Sequence, residues 1–167
     1  KLRYSAATAL LEGGRAVTPK PGSISLILRK PMGVAAVIAP WNSPVILTIR
    51  SLAPALAAGC TAIIKLPGQV AQTASVMAQV MAEAKDLPNG VINLFFESGP
   101  EGSAYLVDSP DVPVVSFTGS TRTGRAISST GAETTCCNRP ASAGPPKRET
   151  WAVDSRWPLA SATASAW

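Results

Sequence analysis

Three short segments hold the residues best able to do chemistry, and the first is FTGSTRTG at residues 117–124. It follows a short apolar run and opens a stretch that predicts a helix. Gly119 permits a tight turn, and a helix N-terminus presents free N–H groups and a favourable dipole to an anion. Ser120 can cap that helix or hydrogen-bond a phosphate. Because the pattern departs from GxGxxG, pyrophosphate binding and a plain N-capped turn both stay open.

The other two segments also follow apolar runs that predict buried strands. Asn42 lies in PWNSP at residues 40–44, between two prolines that stiffen its backbone. Its amide could donate to a developing oxyanion, or it could simply cap the next helix. Lys65 ends the run TAIIK, where its ammonium could meet a ligand phosphate or hydroxyl, or point to water. The following Pro67-Gly68 turn offers no acid to hold a ribose hydroxyl.

Missing residue types exclude several kinds of catalytic and metal centre. The 167 residues contain no histidine, so the chain alone cannot build a Ser-His-Asp or Cys-His centre. Its three cysteines, Cys60, Cys136 and Cys137, form no spaced ligand set, and a structural zinc site is not expected. Unpaired cysteines are typical of a reducing, cytoplasmic setting.

Charge and hydropathy point away from nucleic acid and membrane. The net charge of +5 comes from the first 30 residues, which carry six Lys/Arg and one Glu and lack interleaved aromatics. A solvated N-terminal face is therefore the favoured interpretation. No apolar run reaches the roughly 18 residues of a membrane-spanning helix, and no convincing signal cleavage site is present.

Alternating apolar and helical patterns predict an α/β fold with a parallel sheet covered by helices on both faces. The predicted strands are residues 23–30, 34–39, 61–65, 91–96 and 112–117, and the predicted helices are residues 44–58, 72–85, 101–107 and a stretch from 120. In the helix 72–85, Val76, Met77, Val80 and Met81 are predicted to form one apolar stripe.

The pattern stops near Glu133, where another strand is due. Residues 132–167 are rich in Pro, Ser, Ala and Trp and show no periodicity that supports a helix or strand. The sequence therefore predicts an unstructured tail. The abrupt change of composition also suggests translation out of frame, which an identical tail in independently sequenced copies of the gene would contradict.

Residues from about 30 to 131 resemble the cofactor-binding domain of the NAD(P)-dependent aldehyde dehydrogenase superfamily. The shared segments, in order, are PMGV (31–34), IAPWN (38–42), LAAG (56–59), Lys65, LPNGVIN (87–93) and FTGST (117–121) followed by Gly124. The resemblance implies a Rossmann-like α/β domain over residues 31–131. Residues 1–30 would form an N-terminal segment whose strand resembles the one by which family members oligomerise.

The resemblance also implies roles for individual residues. In this family a cysteine attacks the aldehyde, hydride passes to the nicotinamide, and a glutamate helps water to release the acid. Asn42 matches the asparagine that stabilises the oxyanion. Lys65 matches the lysine that contacts the adenosine ribose. The other matching cofactor positions are Ile38 and Trp41 in the cleft, Gly99 near the adenine, and Gly119 and Ser120 at the pyrophosphate.

Two departures from the family pattern have consequences. Many members carry a glutamate where this chain has Gly68, so NAD versus NADP stays open, and we predict dual or NADP-leaning binding. The Glu-Leu-Gly-Gly and Gly-Gln-x-Cys segments that carry the base and the nucleophile are missing. Cys60 lies in the wrong place, and Cys136 and Cys137 lack the flanking motif. The chain alone is expected to be inactive.

Substrate and assembly are predicted more coarsely. Ser43 stands where many members have a bulky aromatic residue, which resembles members that act on aromatic aldehydes such as benzaldehyde or salicylaldehyde. The predicted function is oxidation of an aldehyde to a carboxylic acid with NAD or NADP, in a homo-oligomeric parent enzyme. The alternatives are a non-catalytic dinucleotide-binding module and an oligomerising fragment that associates through an exposed strand edge.

Overall fold

A computed structural model of the chain describes residues 1–11, 13–130 and 149–154. Its elements follow one another in the order of an α/β protein. They are α1 (Leu2–Ala9), β1 (Arg15–Val17), β2 (Ser25–Ile27), β3 (Val34–Ile38), α2 (Pro44–Ala57), β4 (Thr61–Pro67), a 3₁₀ turn (Gly68–Val70), α3 (Ala71–Ala82), β5 (Ile92–Glu97), α4 (Glu101–Asp108), β6 (Val114–Gly119), α5 (Thr121–Thr130) and β7 (Glu149–Asp154).

Five strands form one parallel sheet in the order β5-β4-β3-β6-β7. The chain starts in the centre with β3, adds β4 and β5 on one side, and then crosses to add β6 on the other. The point where the direction reverses therefore lies between β3 and β6. In open α/β sheets, ligands bind outside the carboxyl ends of the strands at such a point.

Helices cover both faces of this sheet, as the sequence predicted. On one face, Leu52 of α2 and Met77 of α3 pack with Val37, Ile64 and Leu66 of the strands. On the other face, residues of α4 and α5 pack against β3 and β6, namely Leu106, Val107 and Ile127 against Ala36, Ile38, Val115 and Phe117. Complete burial of a Leu or Ile side chain contributes roughly 1.5–3 kcal/mol, so the two clusters stabilise the packing of the helices on the sheet.

The N-terminal region adds two elements outside this sheet. Helix α1, which the sequence analysis did not predict, packs against α2. Strands β1 and β2 form a separate antiparallel pair, with Ala16 opposite Leu26. The predicted strand over residues 23–30 is therefore confirmed at its centre. All six residues of the pair are exposed in the described part of the chain.

Helix α3 presents a different face to the sheet from the one predicted. Ala74 and Met77 are buried, and Met81 is half-buried. Val76 and Val80 are 55% and 64% exposed, so their placement in the apolar stripe was wrong. Ala74 and Met77, one turn apart, pack into the core cluster on this face of the sheet, and the valines at the neighbouring positions of the helix therefore face solvent.

Residues 149–154 differ from the sequence prediction, because they form β7 rather than unstructured chain. Strand β7 pairs in parallel with β6, from Val114 opposite Glu149 to Gly119 opposite Asp154. Its sequence ETWAVD contains Thr, Trp and Val, which favour strands, and the pairing satisfies backbone groups that β6 would otherwise expose. Residues 131–148 and 155–167 lie outside the described residues, and the prediction of an unstructured tail there stays untested.

Candidate functional site

The carboxyl ends of four parallel strands meet at one edge of the sheet and bring the predicted site residues together. Ile38 at the end of β3 stands opposite Lys65 of β4 on one side and Phe117 of β6 on the other. On β5, Glu97 stands opposite Pro67. The connections that leave this edge carry Trp41 and Asn42, then Gly68, then Gly99, and finally Ser120. We refer to this region as the carboxyl edge.

Trp41 and Asn42 lie in the bend between β3 and α2, beside the point where the strand order reverses. Both side chains are exposed, Trp41 by 66%, whereas Ile38 immediately before the bend is buried. The N-cap of α2 is Ser43 rather than Asn42, so the interpretation of Asn42 as the capping residue is wrong. The Asn42 amide is therefore accessible from solvent at the start of a helix.

Lys65 does not point to water, contrary to one of the two alternatives. The residue is only 9% exposed, and its ammonium Nζ lies 3.5 Å from the carbonyl oxygen of Gly99. Two residues predicted from the resemblance, 34 positions apart in sequence, therefore contact each other. A buried ammonium needs a compensating charge, and the structure supplies one from β5.

That charge is Glu97, which the sequence analysis missed. Its Oε1 lies 3.6 Å from Lys65 Nζ, and the two side chains are 18% and 11% exposed, respectively. The Pro67-Gly68 turn after Lys65 holds no acid, as the sequence shows, and the acid comes instead from the neighbouring strand β5. The available signal was the acidic residue at the end of the apolar run, one position beyond the predicted strand 91–96.

The first turn of α4 fixes the Glu97 carboxylate. Its Oε2 accepts the N–H of Gly102 at 2.8 Å, and its Oε1 accepts the N–H and the hydroxyl of Ser103 at 3.1 and 3.2 Å. Burial acts to raise the pKa of Glu97, but the two N–H groups, the Lys65 charge and the hydroxyl together outweigh it and lower the pKa below its ordinary value. Glu97 is therefore an anion at neutral pH.

Gly119 and Ser120 form the turn from β6 into α5. The Ser120 Oγ accepts the N–H of Thr123 at 3.2 Å and lies 2.8 Å from the Thr123 hydroxyl, which confirms the N-cap interpretation. The ring of buried Phe117 occupies the place that a Cβ on Gly119 would take. The glycine therefore has a packing reason that needs no ligand, and the N-capped helix start remains open to an anion.

The carboxyl edge has the donor set that a dinucleotide needs. It brings together the Lys65 ammonium near the end of β4, the N-terminus of α5, the exposed Asn42 amide and the exposed Trp41 indole, against which a ring can pack. The groups fit sugar hydroxyls and phosphates. Among the residues that the structure describes, no three His, Cys, Asp or Glu side chains are grouped as potential metal ligands.

Of the three cysteines, the structure describes Cys60. Cys60 is a buried free thiol between α2 and β4, and its backbone N–H bonds to the Ala55 carbonyl at 3.0 Å, far from the carboxyl edge. Cys136 and Cys137 lie outside the described residues. Over the part of the chain that the structure covers, no helix has the length and apolar character needed to cross a membrane.

Comparison with known proteins gives one consistent result. Residues 1–141 match the model of the aldehyde dehydrogenase family. The chain is 44% identical over 106 residues to 2-aminomuconic semialdehyde dehydrogenase from Danio rerio. The aligned region covers 64% of this chain and 22% of that protein.

Solved structures agree. A salicylaldehyde dehydrogenase from Pseudomonas putida G7, complexed with salicylaldehyde, superposes with a TM-score of 0.72 at 33% identity, over 78% of this chain and 28% of that one. Betaine aldehyde dehydrogenase from Staphylococcus aureus in complex with NAD⁺ superposes with a TM-score of 0.70 at 33% identity, over 77% of this chain and 26% of that one. The chain thus spans about a quarter of the length of the relatives it matches. On the family match over residues 1–141, the chain belongs to the aldehyde dehydrogenase family.

Proposed function

We propose that this chain supplies the dinucleotide-binding edge of an enzyme that oxidises an aldehyde to a carboxylic acid. The observation that carries the proposal is the convergence of Lys65, Asn42 and the start of α5 at the carboxyl edge. The matches to aldehyde dehydrogenases support the chemistry. NAD or NADP, when bound, accepts the hydride that the aldehyde loses.

Within this proposal each residue of the carboxyl edge has a role. Lys65 holds the adenosine ribose, and Gly119 and Ser120 bring the backbone and helix start of α5 to the pyrophosphate. Asn42 donates its amide N–H to the aldehyde oxygen as negative charge develops there. The remaining cofactor positions shape the cleft by packing, namely Ile38, Trp41 and Gly99.

Dinucleotide binding by the full chain tests this proposal directly. We expect saturable binding of an oxidised dinucleotide in the micromolar range by calorimetry, weakened about tenfold or more by Lys65→Met. The matched control is Lys85→Met, since Lys85 is exposed and follows the C-terminal end of α3. Absence of binding to the unmodified chain, or equal effects of the two variants, would contradict the assignment.

The chain alone is proposed to bind without turning over. Neither the Glu-Leu-Gly-Gly nor the Gly-Gln-x-Cys segment occurs in it. Appearance of reduced cofactor at 340 nm, with purified chain and benzaldehyde, would refute this part of the proposal.

For the substrate class we propose an aromatic aldehyde. Ser43 follows the exposed Asn42 as the small N-cap of α2, and none of its hydrogen-bonding capacity is spent on a side-chain cap. Similarity to a salicylaldehyde dehydrogenase supports the choice. In an enzyme that carries this segment with a nucleophile, Ser43→Phe should lower kcat/KM for benzaldehyde at least about tenfold relative to acetaldehyde. An unchanged ratio would argue against the aromatic class.

A further inference from the structure

The choice between NAD and NADP depends on the charge around the adenosine ribose, and the structure changes the expected balance there. A 2′-phosphate adds about two negative charges to the ribose at neutral pH, whereas NAD presents a hydroxyl at the same place. Lys65 favours the phosphate only if its own charge is not already compensated. Glu97 compensates it, with Oε1 at 3.6 Å from Nζ.

The Glu97 carboxylate cannot easily swing away to admit a phosphate. Three donors from Gly102 and Ser103 hold it against the first turn of α4. A second carboxylate lies close by, because the Glu101 side chain occupies the place that a Cβ on Gly99 would take. Glu97 is thus the carboxylate paired with the Lys65 ammonium, and Glu101 places a second carboxylate beside Gly99.

Position 68 explains why the acid comes from β5. A Cβ on Gly68 would lie 2.9 Å from the hydroxyl oxygen of Ser98, so the space that a side chain there would take is already filled. Ser98 directly follows Glu97, the last residue of β5. An acidic side chain at position 68 and the Ser98 side chain after β5 would therefore compete for the same space.

Glu97 also retains capacity for one more hydrogen bond. Within the described part of the chain, Oε2 accepts the Gly102 N–H alone, while Oε1 takes both Ser103 donors and faces Lys65. A carboxylate oxygen has two lone pairs, so Oε2 can accept a further O–H. The side chain is 18% exposed, which leaves it accessible from the carboxyl edge.

We propose that Glu97 is the specificity-determining carboxylate of this chain, which accepts a hydroxyl of the adenosine ribose and excludes a 2′-phosphate, so that NAD⁺ is preferred over NADP⁺. This rests on the proposed dinucleotide binding. It reverses the preference inferred from Gly68 alone, because the acid absent from the turn after β4 is replaced by one at the end of the adjacent strand β5.

The test is calorimetric titration of the full chain with NAD⁺ and with NADP⁺. We expect NAD⁺ to bind at least about tenfold tighter, equivalent to about 1.4 kcal/mol. Glu97→Gln, which removes the charge, should reduce that ratio about tenfold. The matched control is Glu83→Gln, since Glu83 is exposed at the C-terminal end of α3, at the opposite edge of the sheet. It should leave the ratio within about twofold.

Glu97 also caps α4, so Glu97→Asp separates specificity from stability. Asp keeps the charge and shortens the reach, and should keep the NAD⁺ preference even where the melting temperature falls. Wild-type preference for NADP⁺, or a ratio that Glu97→Gln leaves unchanged while lowering Tm, would overturn the inference and leave dinucleotide binding intact. Failure of both cofactors to bind would overturn this inference and the proposed function together.

Discussion

Replacing Gly119 by alanine asks whether this glycine serves the packing of Phe117 or the approach of a ligand. The Phe117 ring, 7% exposed, occupies the place of the missing Cβ. Gly119 is not among the glycines with positive φ, so its backbone accepts alanine and the collision with the ring is the only expected cost. Packing alone therefore predicts a loss of stability.

The size of that loss follows from two opposing effects. Forcing an extra methyl group into a packed core costs about 1–3 kcal/mol. Replacing glycine at a tolerant backbone position returns about 0.4–1 kcal/mol through the unfolded chain. A net destabilisation of roughly 1.3 kcal/mol is expected, from the midpoints of the two ranges. Phe117→Leu removes the ring and should absorb most of the collision, so the two changes should couple by about 1 kcal/mol.

Urea unfolding followed by circular dichroism measures these values on the full chain and its single and double variants. Gly124→Ala is the matched control, because its Cβ would lie 3.7 Å from Phe117 Cε1, an ordinary contact. Inside α5 that change should stabilise the chain by roughly 0.5–1 kcal/mol. Strict additivity of Gly119→Ala and Phe117→Leu would refute the packing explanation. Unchanged stability with lost NAD⁺ binding would assign Gly119 to the ligand.

Two further predictions concern charge and assembly. The pKa of Glu97 is lowered from 4.5 in the folded chain, so its stabilisation is complete above that value and is lost as the pH falls through the lower folded pKa. Urea midpoints should therefore fall more steeply below about pH 4.5 in the wild type than in Glu97→Gln, and parallel curves would contradict the assignment. For assembly, we predict concentration-dependent association through the exposed pair β1 and β2, weakened by Leu26→Lys in light scattering; Leu10→Lys, at an exposed site outside the pair, serves as the control.

Much of the fold could be predicted from sequence because the central strands are buried on both faces. Strand β3 is half-buried at Val34 and fully buried over its next four residues, and the run VAAVI has no polar position that could face solvent. Such a run between glycine or proline signals predicts a strand of a parallel sheet. Helix boundaries agreed within about three residues for a different reason: proline and glycine mark helix ends, as Pro44 and Gly59 do for α2.

Failures occurred where position depends on a partner that periodicity does not reveal. Val76 and Val80 are as apolar as Met77, yet the face that packs against the sheet is the one with Ala74 and Met77. Strand β7 gains its hydrogen bonds from β6, which lies far back in the chain. Local pattern assigns the type of an element more reliably than the face it buries, because the face is set by packing.

The candidate site also contains residues that sequence motifs predict and one residue that only strand pairing brings there. This difference matters when a cofactor preference is deduced from the sequence. Lys65, Asn42 and Ser120 lie within motifs, so the sequence alone predicts that they meet at one edge. Glu97 belongs to no such motif, and it reaches Lys65 only because β4 and β5 are neighbours in parallel register, with Pro67 opposite Glu97. Any residue at the end of β5 lies next to the ribose position proposed for Lys65. A cofactor preference deduced only from the turn after Lys65 omits the charge of Glu97. The variant Glu97→Gln measures how much that charge contributes to the ratio of NAD⁺ to NADP⁺ affinity.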